Sequence, residues 1–202
     1  MSDKPNSAGK FNVMRNPKAW GLAAILAATA TPLLAQGYSD SYTFLKGVRE
    51  RDASVVQPMV TSPNPAVLNA RGASDGEGAL HILVRGRDLA WLNFLLARGA
   101  RADLQNARGE TPLSLAAQLG WYEGAEALLT RRANPNLGNS RGETPLIIAV
   151  HRRDLMMARL LRSRGANPNQ TDHVAGYSAI DYARQDPRAV PILRELEAQR
   201  PR

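Results

Sequence analysis

The sequence predicts an all-α solenoid of stacked helix-turn-helix units, preceded by an N-terminal signal helix. Three observations predict it. A period of 33 residues runs through the second half of the chain. Within each period apolar residues recur at three- and four-residue spacing, the mark of a helix with one buried face. Composition agrees: 44% of residues are hydrophobic but only 5% are aromatic, which suits small, closely packed helices and not a β-sandwich.

The period is explicit. Arg108-Gly109-Glu110-Thr111-Pro112-Leu113 returns as Arg141-Gly142-Glu143-Thr144-Pro145-Leu146. Ala116, Ala125, Leu128 and Arg131 return as Ala149, Ala158, Leu161 and Arg164. Ala133-Asn134-Pro135-Asn136 returns as Ala166-Asn167-Pro168-Asn169. The flanking copies are degenerate. Gly78-Ala79-Leu80-His81 stands 33 residues before Thr111, with Leu95-Leu96 and Gly99-Ala100 closing that unit. Gly176-Tyr177-Ser178-Ala179-Ile180 and Ala183 repeat the pattern one residue late, so the loop before them holds one insertion. Phe44-Leu45, Val48, Asp52, Val55-Val56 and Met59-Val60 read as a first helix pair without the Thr-Pro-Leu turn.

Each position has a chemical reason. Thr111 and Thr144 can cap a helix by accepting a backbone N–H. Pro112 and Pro145 follow at the first helical position, where a missing N–H costs nothing. Leu113, Ala116 and Ala117 lie on one face, and the alanines let neighbouring helices approach. Gly120 ends the first helix. Tyr122 to Arg131 makes the second, with Ala125, Leu128 and Leu129 facing inward. Gly99 and Gly165 provide left-handed stops, whereas Arg132 occupies that place in the intervening unit. Asn136 to Ser140 is rich in turn formers and reads as a projecting loop. No unit buries its apolar face alone, so stability is a sum over neighbours and the end units should be polar outside. Arg194, Glu195, Glu197, Arg200 and Arg202 in the last helix, Val190 to Arg202, fit that rule.

These residues resemble the ankyrin repeat, whose pattern is G-x-T-P-L-H-x-A-A, a second helix ending in L-L, and then G-A-x-x-N. The resemblance spans roughly residues 40–199, as two clear repeats, one fair one and two capping units. The units divide as 36–70 (N-terminal capping pair and loop), 71–103, 104–136, 137–169 and 170–202. The resemblance implies a protein that binds another protein and is not an enzyme, through its loop tips and the concave face of its first helices. Carried over by position, the tips include Asn106, Arg108, Glu110, Asn139, Arg141, Glu143, Asp172 and His173. The concave positions are Arg85, Gln118, Leu119, His151 and Arg152. Trp121 and Tyr122 open a second helix at the groove's edge, where Trp121 divides evenly between packing and contact. Trp91 reads as packing. His81 falls at the family's histidine position, where it supports the turn by hydrogen bonding.

Residues 1–35 form a separate element. Arg15 and Lys18 precede an uncharged run from Trp20 to Ala30; Pro32 breaks it, and Leu33-Leu34-Ala35 stands before Gln36. This order of basic, apolar and small residues marks a secretory signal peptide. Ala28-Thr29-Ala30 is a second candidate cleavage site. The polar stretch before Met14 suggests either a start at Met14 or a long basic region. The apolar stretch from Ala19 to Ala35 is short for a spanning helix, which needs about 20 residues, although an uncleaved anchor is the alternative. Both readings place the repeats outside the cytoplasm, in the periplasm or cell envelope of a bacterium, by the general secretory route because no twin-Arg pair is present. A co-exported enzyme or an envelope component is the expected kind of partner.

The chain carries 26 Lys and Arg against 18 Asp and Glu; four of the cations and one acid precede residue 36, leaving 22 against 17. This mild excess admits a membrane-tethered or polyanion-binding scaffold as a second reading. Nucleic acid is not expected, because no basic groove is interleaved with aromatics. The absence of cysteine excludes disulfides, thiolate zinc sites, thiol nucleophiles and lipid-modified cysteine at the N-terminus. His81, His151 and His173 share no ligand spacing. The glycines at 72, 76 and 78 are not followed by the Gly-Lys-Ser/Thr of a phosphate loop, and no motif frames a nucleophile. No cofactor or metal is expected.

Overall fold

The computed structural model describes residues 31–61 and 66–198. The expected signal segment lies outside the described residues except for its last few positions. The chain divides into two units, Met1–Tyr38 and Ser39–Arg202, and the repeats lie in the second. Among the described residues there are ten α-helices and no strand, only an isolated bridge between Thr171 and Ser178. None of these helices is long and apolar enough to cross a membrane.

Helix α1 spans Thr31–Glu50 and α2 Ala53–Thr61; a 3-10 turn follows at Ala66–Asn69. The pairs after it recur at the period read from the sequence: α3 Ala79–Arg85 with α4 Leu89–Ala97, α5 Pro112–Leu119 with α6 Tyr122–Thr130, and α7 Pro145–His151 with α8 Leu155–Ser163. The last pair is α9 Ala179–Gln185 and α10 Val190–Glu197, joined by a 3-10 turn at Pro187–Ala189. Inner helices α3, α5, α7 and α9 pack side by side in that order, and outer helices α4, α6, α8 and α10 form a second row behind them. This is the solenoid that the 33-residue period predicts.

The core runs continuously between the rows. Leu113, Ala116 and Ala117 of α5 and Leu146 and Ala149 of α7 are fully buried, with Ala125 and Leu128 of α6 and Ala158 and Leu161 of α8 behind them. Removing a side chain such as Leu128 to its Cβ would cost about 2–5 kcal/mol, by lost transfer energy and an unfilled cavity.

Four inner helices meet the same problem, an unsatisfied N-terminus, in four ways. Thr111 Oγ1 accepts from the Ser114 N–H at 3.1 Å, while Ser114 Oγ accepts from the Thr111 N–H at 2.9 Å. Thr144 Oγ1 accepts from the Ile147 N–H at 3.3 Å without a return bond from the isoleucine side chain. Ser178 and Asp181 exchange a reciprocal pair at 3.3 and 3.0 Å. Gly78 has no side chain, and there the His81 ring accepts from the Gly78 N–H at 3.2 Å.

The outer helices show one exception of consequence. Asp88 caps α4 by accepting from the Trp91 N–H, and Asp154 caps α8 by accepting from the Met157 N–H. In α6 the same position is Trp121, which makes no side-chain cap. Its indole is 5% exposed and lies over Gly124, where an added Cβ would stand 2.1 Å from the ring. Trp121 thus exchanges a polar cap for aromatic burial, and Gly124 is the space that allows it. The opposite ends of the outer helices differ too. Gly99 and Gly165 stop α4 and α8 at φ +90°, and Arg132 adopts φ +64° at the matching place.

Two predictions follow from these positions. Replacing Gly124 with alanine should drive the Trp121 ring outward, red-shift tryptophan emission, and lower stability by about 1–3 kcal/mol in denaturant melts. Arg132→Gly should raise the unfolding midpoint by the equivalent of about 0.5 kcal/mol. Relief of the left-handed cost, about 1 kcal/mol, is partly offset by the more flexible unfolded chain.

Candidate protein-interaction surface

The loops that precede α5 and α7 are built alike, from the pentapeptides Asn106-Ala107-Arg108-Gly109-Glu110 and Asn139-Ser140-Arg141-Gly142-Glu143. In the first, the Asn106 side-chain carbonyl accepts from the backbone N–H groups of Arg108 and Glu110 at 2.9 and 3.0 Å. Its amide donates to Glu110 Oε2 at 2.8 Å. The same oxygen receives Arg108 Nε at 3.0 Å and Nη2 at 2.8 Å. Asn139, Arg141 and Glu143 repeat every one of these bonds, at 2.7 to 3.1 Å. The asparagine therefore shapes the turn and the glutamate seals it. Burial pulls the Glu110 carboxyl upward, but the bonds from Arg108 and Asn106 outweigh it and hold it below its ordinary value.

The last loop substitutes different chemistry for the same job. Asp172 accepts from the N–H groups of Val174, Ala175 and Gly176 at 2.8 to 3.0 Å, and its other oxygen accepts from the Tyr182 hydroxyl. That bond to Asp172, helped by burial, pushes the Tyr182 phenol up to about 12. Asp172 keeps a pKa below its usual value: burial raises it, and the Tyr182 and backbone bonds prevail.

Neighbouring tips are joined through their backbones. Ala107 donates to Asp75 O at 2.9 Å, Ser140 to Arg108 O at 3.0 Å, and His173 to Arg141 O at 2.8 Å. The approach is so close that a Cβ on Gly109 would lie 2.6 Å from the Ser140 nitrogen, and both Gly109 and Gly142 have positive φ. Gln105 adds a cross-link, donating to the carbonyls of Gly109 and Gly138 at 2.9 and 3.1 Å. His81 ties helix α3 to the next tip, since its Nε2 donates to Glu110 O at 2.9 Å.

Residues 80–172 match the family model of ankyrin repeats, in three copies. This stretch is a run of ankyrin repeats. Ankyrin repeats are protein–protein interaction modules that typically bind without catalysing, so the surface question is which of the expected residues remain available to a partner.

The structure sorts those residues into two groups. Arg108, Gln118, Asn139 and Arg141 line one open cleft of about 440 Å³ together with Glu110 and Ser140. Arg85, His151, Arg152 and His173 are exposed, and Leu119 and Tyr122 are half-buried. His151 and Tyr182 stack edge to face at 4.4 Å beside a second cleft, with Tyr177 against Tyr182 at 5.5 Å. The second group is internal. Asn106, Glu110 and Asp172 are buried and satisfied within their own loops, with Glu143 half-buried in the same role, so they shape the tips from beneath. Trp121 departs from its expected place at the groove's edge, because Gly124 opens a slot that buries the indole. Trp91 is half-buried and packs edge to face on Phe94 at 5.9 Å. Tyr177, Tyr182 and Gln105 were not anticipated from sequence. Tyr177 and Tyr182 fall in the degenerate last unit, where the one-residue insertion obscures the register.

His81 makes stability depend on pH. Its Nδ1 must stay unprotonated to accept from Gly78, and burial lowers its pKa below 6.5 despite the Glu110 contact. The unfolded chain then binds the extra proton first, so stability is complete above about pH 6.5 and declines as pH falls toward 5. The lowered carboxylates lose their share only at more acidic pH. His81→Gln should flatten thermal melting between pH 6.5 and 5; an unchanged slope in that variant rules out this source.

Proposed function

We propose that this chain is an exported protein-binding module of the bacterial periplasm or cell envelope, which holds its partner in the groove between the loop tips and the inner helices. The observation that carries the reading is the cleft where Arg108, Arg141 and Asn139 of two successive tips meet Gln118 of α5. Side chains distant in sequence converge there on rigid supports, which reduces the ordering cost of binding. Two arginine side chains line that cleft, and arginine is among the types that dominate binding energy at interfaces. Export is supported by the basic, apolar and small-residue order of residues 15–35. A co-exported enzyme or an envelope component remains the partner that this location favours.

Capture from an envelope extract by the exported form tests the groove. Joint replacement of Arg108, Gln118, Arg141 and Arg152 by alanine should reduce partner recovery about tenfold or more while the circular dichroism melt stays cooperative; equal recovery removes the groove. N-terminal sequencing of the exported chain tests the leader. A start near Gln36, or after Ala30, is expected, and one at Met1 or Met14 refutes cleavage.

A further inference from the structure

The tips hide their acids and display their bases. Glu77, Glu110 and Glu143 sit at equivalent places before α3, α5 and α7, and each carries an ion pair, Glu110 and Glu143 with the arginine of their own loop and Glu77 with Arg85 at the end of α3. The pairs are Arg85–Glu77 at 2.6 Å, Arg108–Glu110 at 2.8 Å and Arg141–Glu143 at 2.7 Å. Exposure is lopsided. The arginine side chains are 42%, 61% and 65% exposed, and their glutamates 10%, 10% and 15%. The three pairs cancel in formal charge and Asp75 and Asp172 add two negatives, yet the side chains that stand most exposed are guanidinium. Asp75 is half-buried and accepts from the Glu77 N–H, and Asp172 is buried beneath Tyr182, so neither restores negative charge to the outside.

We infer that the partner segment seated across the Arg108 and Arg141 tips is an acidic stretch of polypeptide, with carboxylates that add to these arginines as second ligands. This rests on the groove being the docking surface. Each guanidinium uses Nε and Nη2 on its own glutamate, which leaves the Nη1 edge for a further carboxylate. The glutamate beneath fixes the side chain, so little rotamer freedom is lost when the second carboxylate arrives. The contact lies at an open rim, so attraction weakens with salt. Gln118, exposed in the same cleft, supplies an amide that can bond the backbone of an extended segment.

Fluorescence anisotropy of fluorescein-labelled deca-glutamate with the full chain tests the inference, with deca-lysine and vesicles containing anionic phospholipid as comparison probes. Deca-glutamate should bind at low salt and deca-lysine should not. Joint Arg108→Gln and Arg141→Gln should weaken binding about tenfold, the loss of charge-assisted bonds. Arg98→Gln with Arg131→Gln, an equal loss of charge on the outer helices, should leave it unchanged. Glu110→Gln should strengthen binding, because it releases Arg108 from its internal partner; this variant keeps the neutral amide in the loop and guards against a merely structural effect. Equal weakening by both arginine pairs, or no binding by a folded chain, overturns the inference. So does tighter binding to the vesicles through the same two arginines. If the quadruple groove variant loses its partner while deca-glutamate ignores Arg108 and Arg141, the groove stands and the acidic partner falls.

Discussion

Burial of each unit by its neighbours is the constraint on which everything else rests. The apolar faces of α5 and α6 cannot be covered by one another alone, and α3, α4, α7 and α8 complete the cover. Alanine at the inner positions 116, 117 and 149 sets how near the rows come. That separation in turn sets the distance between successive loops. Backbone bonds between tips form only because the helices beneath hold the loops one rung apart. The surface geometry is thus a projection of core packing, and a cavity in the core would be felt at the tips.

Much of the fold was legible because the period is written in residues with narrow conformational roles. Thr-Pro-Leu names a helix start, and glycine at 99, 120 and 165 names left-handed exits. The surface was only half legible. The repeated Asn-x-Arg-Gly-Glu segment marked the two matching loops, but its internal division of labour was hidden. Whether a loop glutamate faces solvent or lies under its arginine depends on the neighbouring loop, which composition does not display. Trp121 shows the same limit. Its burial depends on Gly124, three residues away, and the pairing gains meaning only when the helix path is known.

Repeats that share a scaffold differ in how they close the turn between inner and outer helices. Arg87 and Arg153 sit in left-handed geometry where Gly120 stands in the middle unit. Both arginines reach forward to the next unit: Arg87 to the Leu119 carbonyl and Arg153 to Asp186, each at 2.6 Å. Backbone strain at these turns coincides with a tie between units. The unit centred on Trp121 lacks the outward tie and has a buried aromatic ring instead, so one architecture is held by two kinds of local chemistry.

The chain of backbone hydrogen bonds along the tips, joining Asp75 with Ala107, Arg108 with Ser140 and Arg141 with His173, has a mechanical meaning. A force applied at one loop passes to the next through a short, stiff link and not through the long path down one helix pair and up another. The row yields as a strap and not as separate fingers, and a load at any one point is shared along its length.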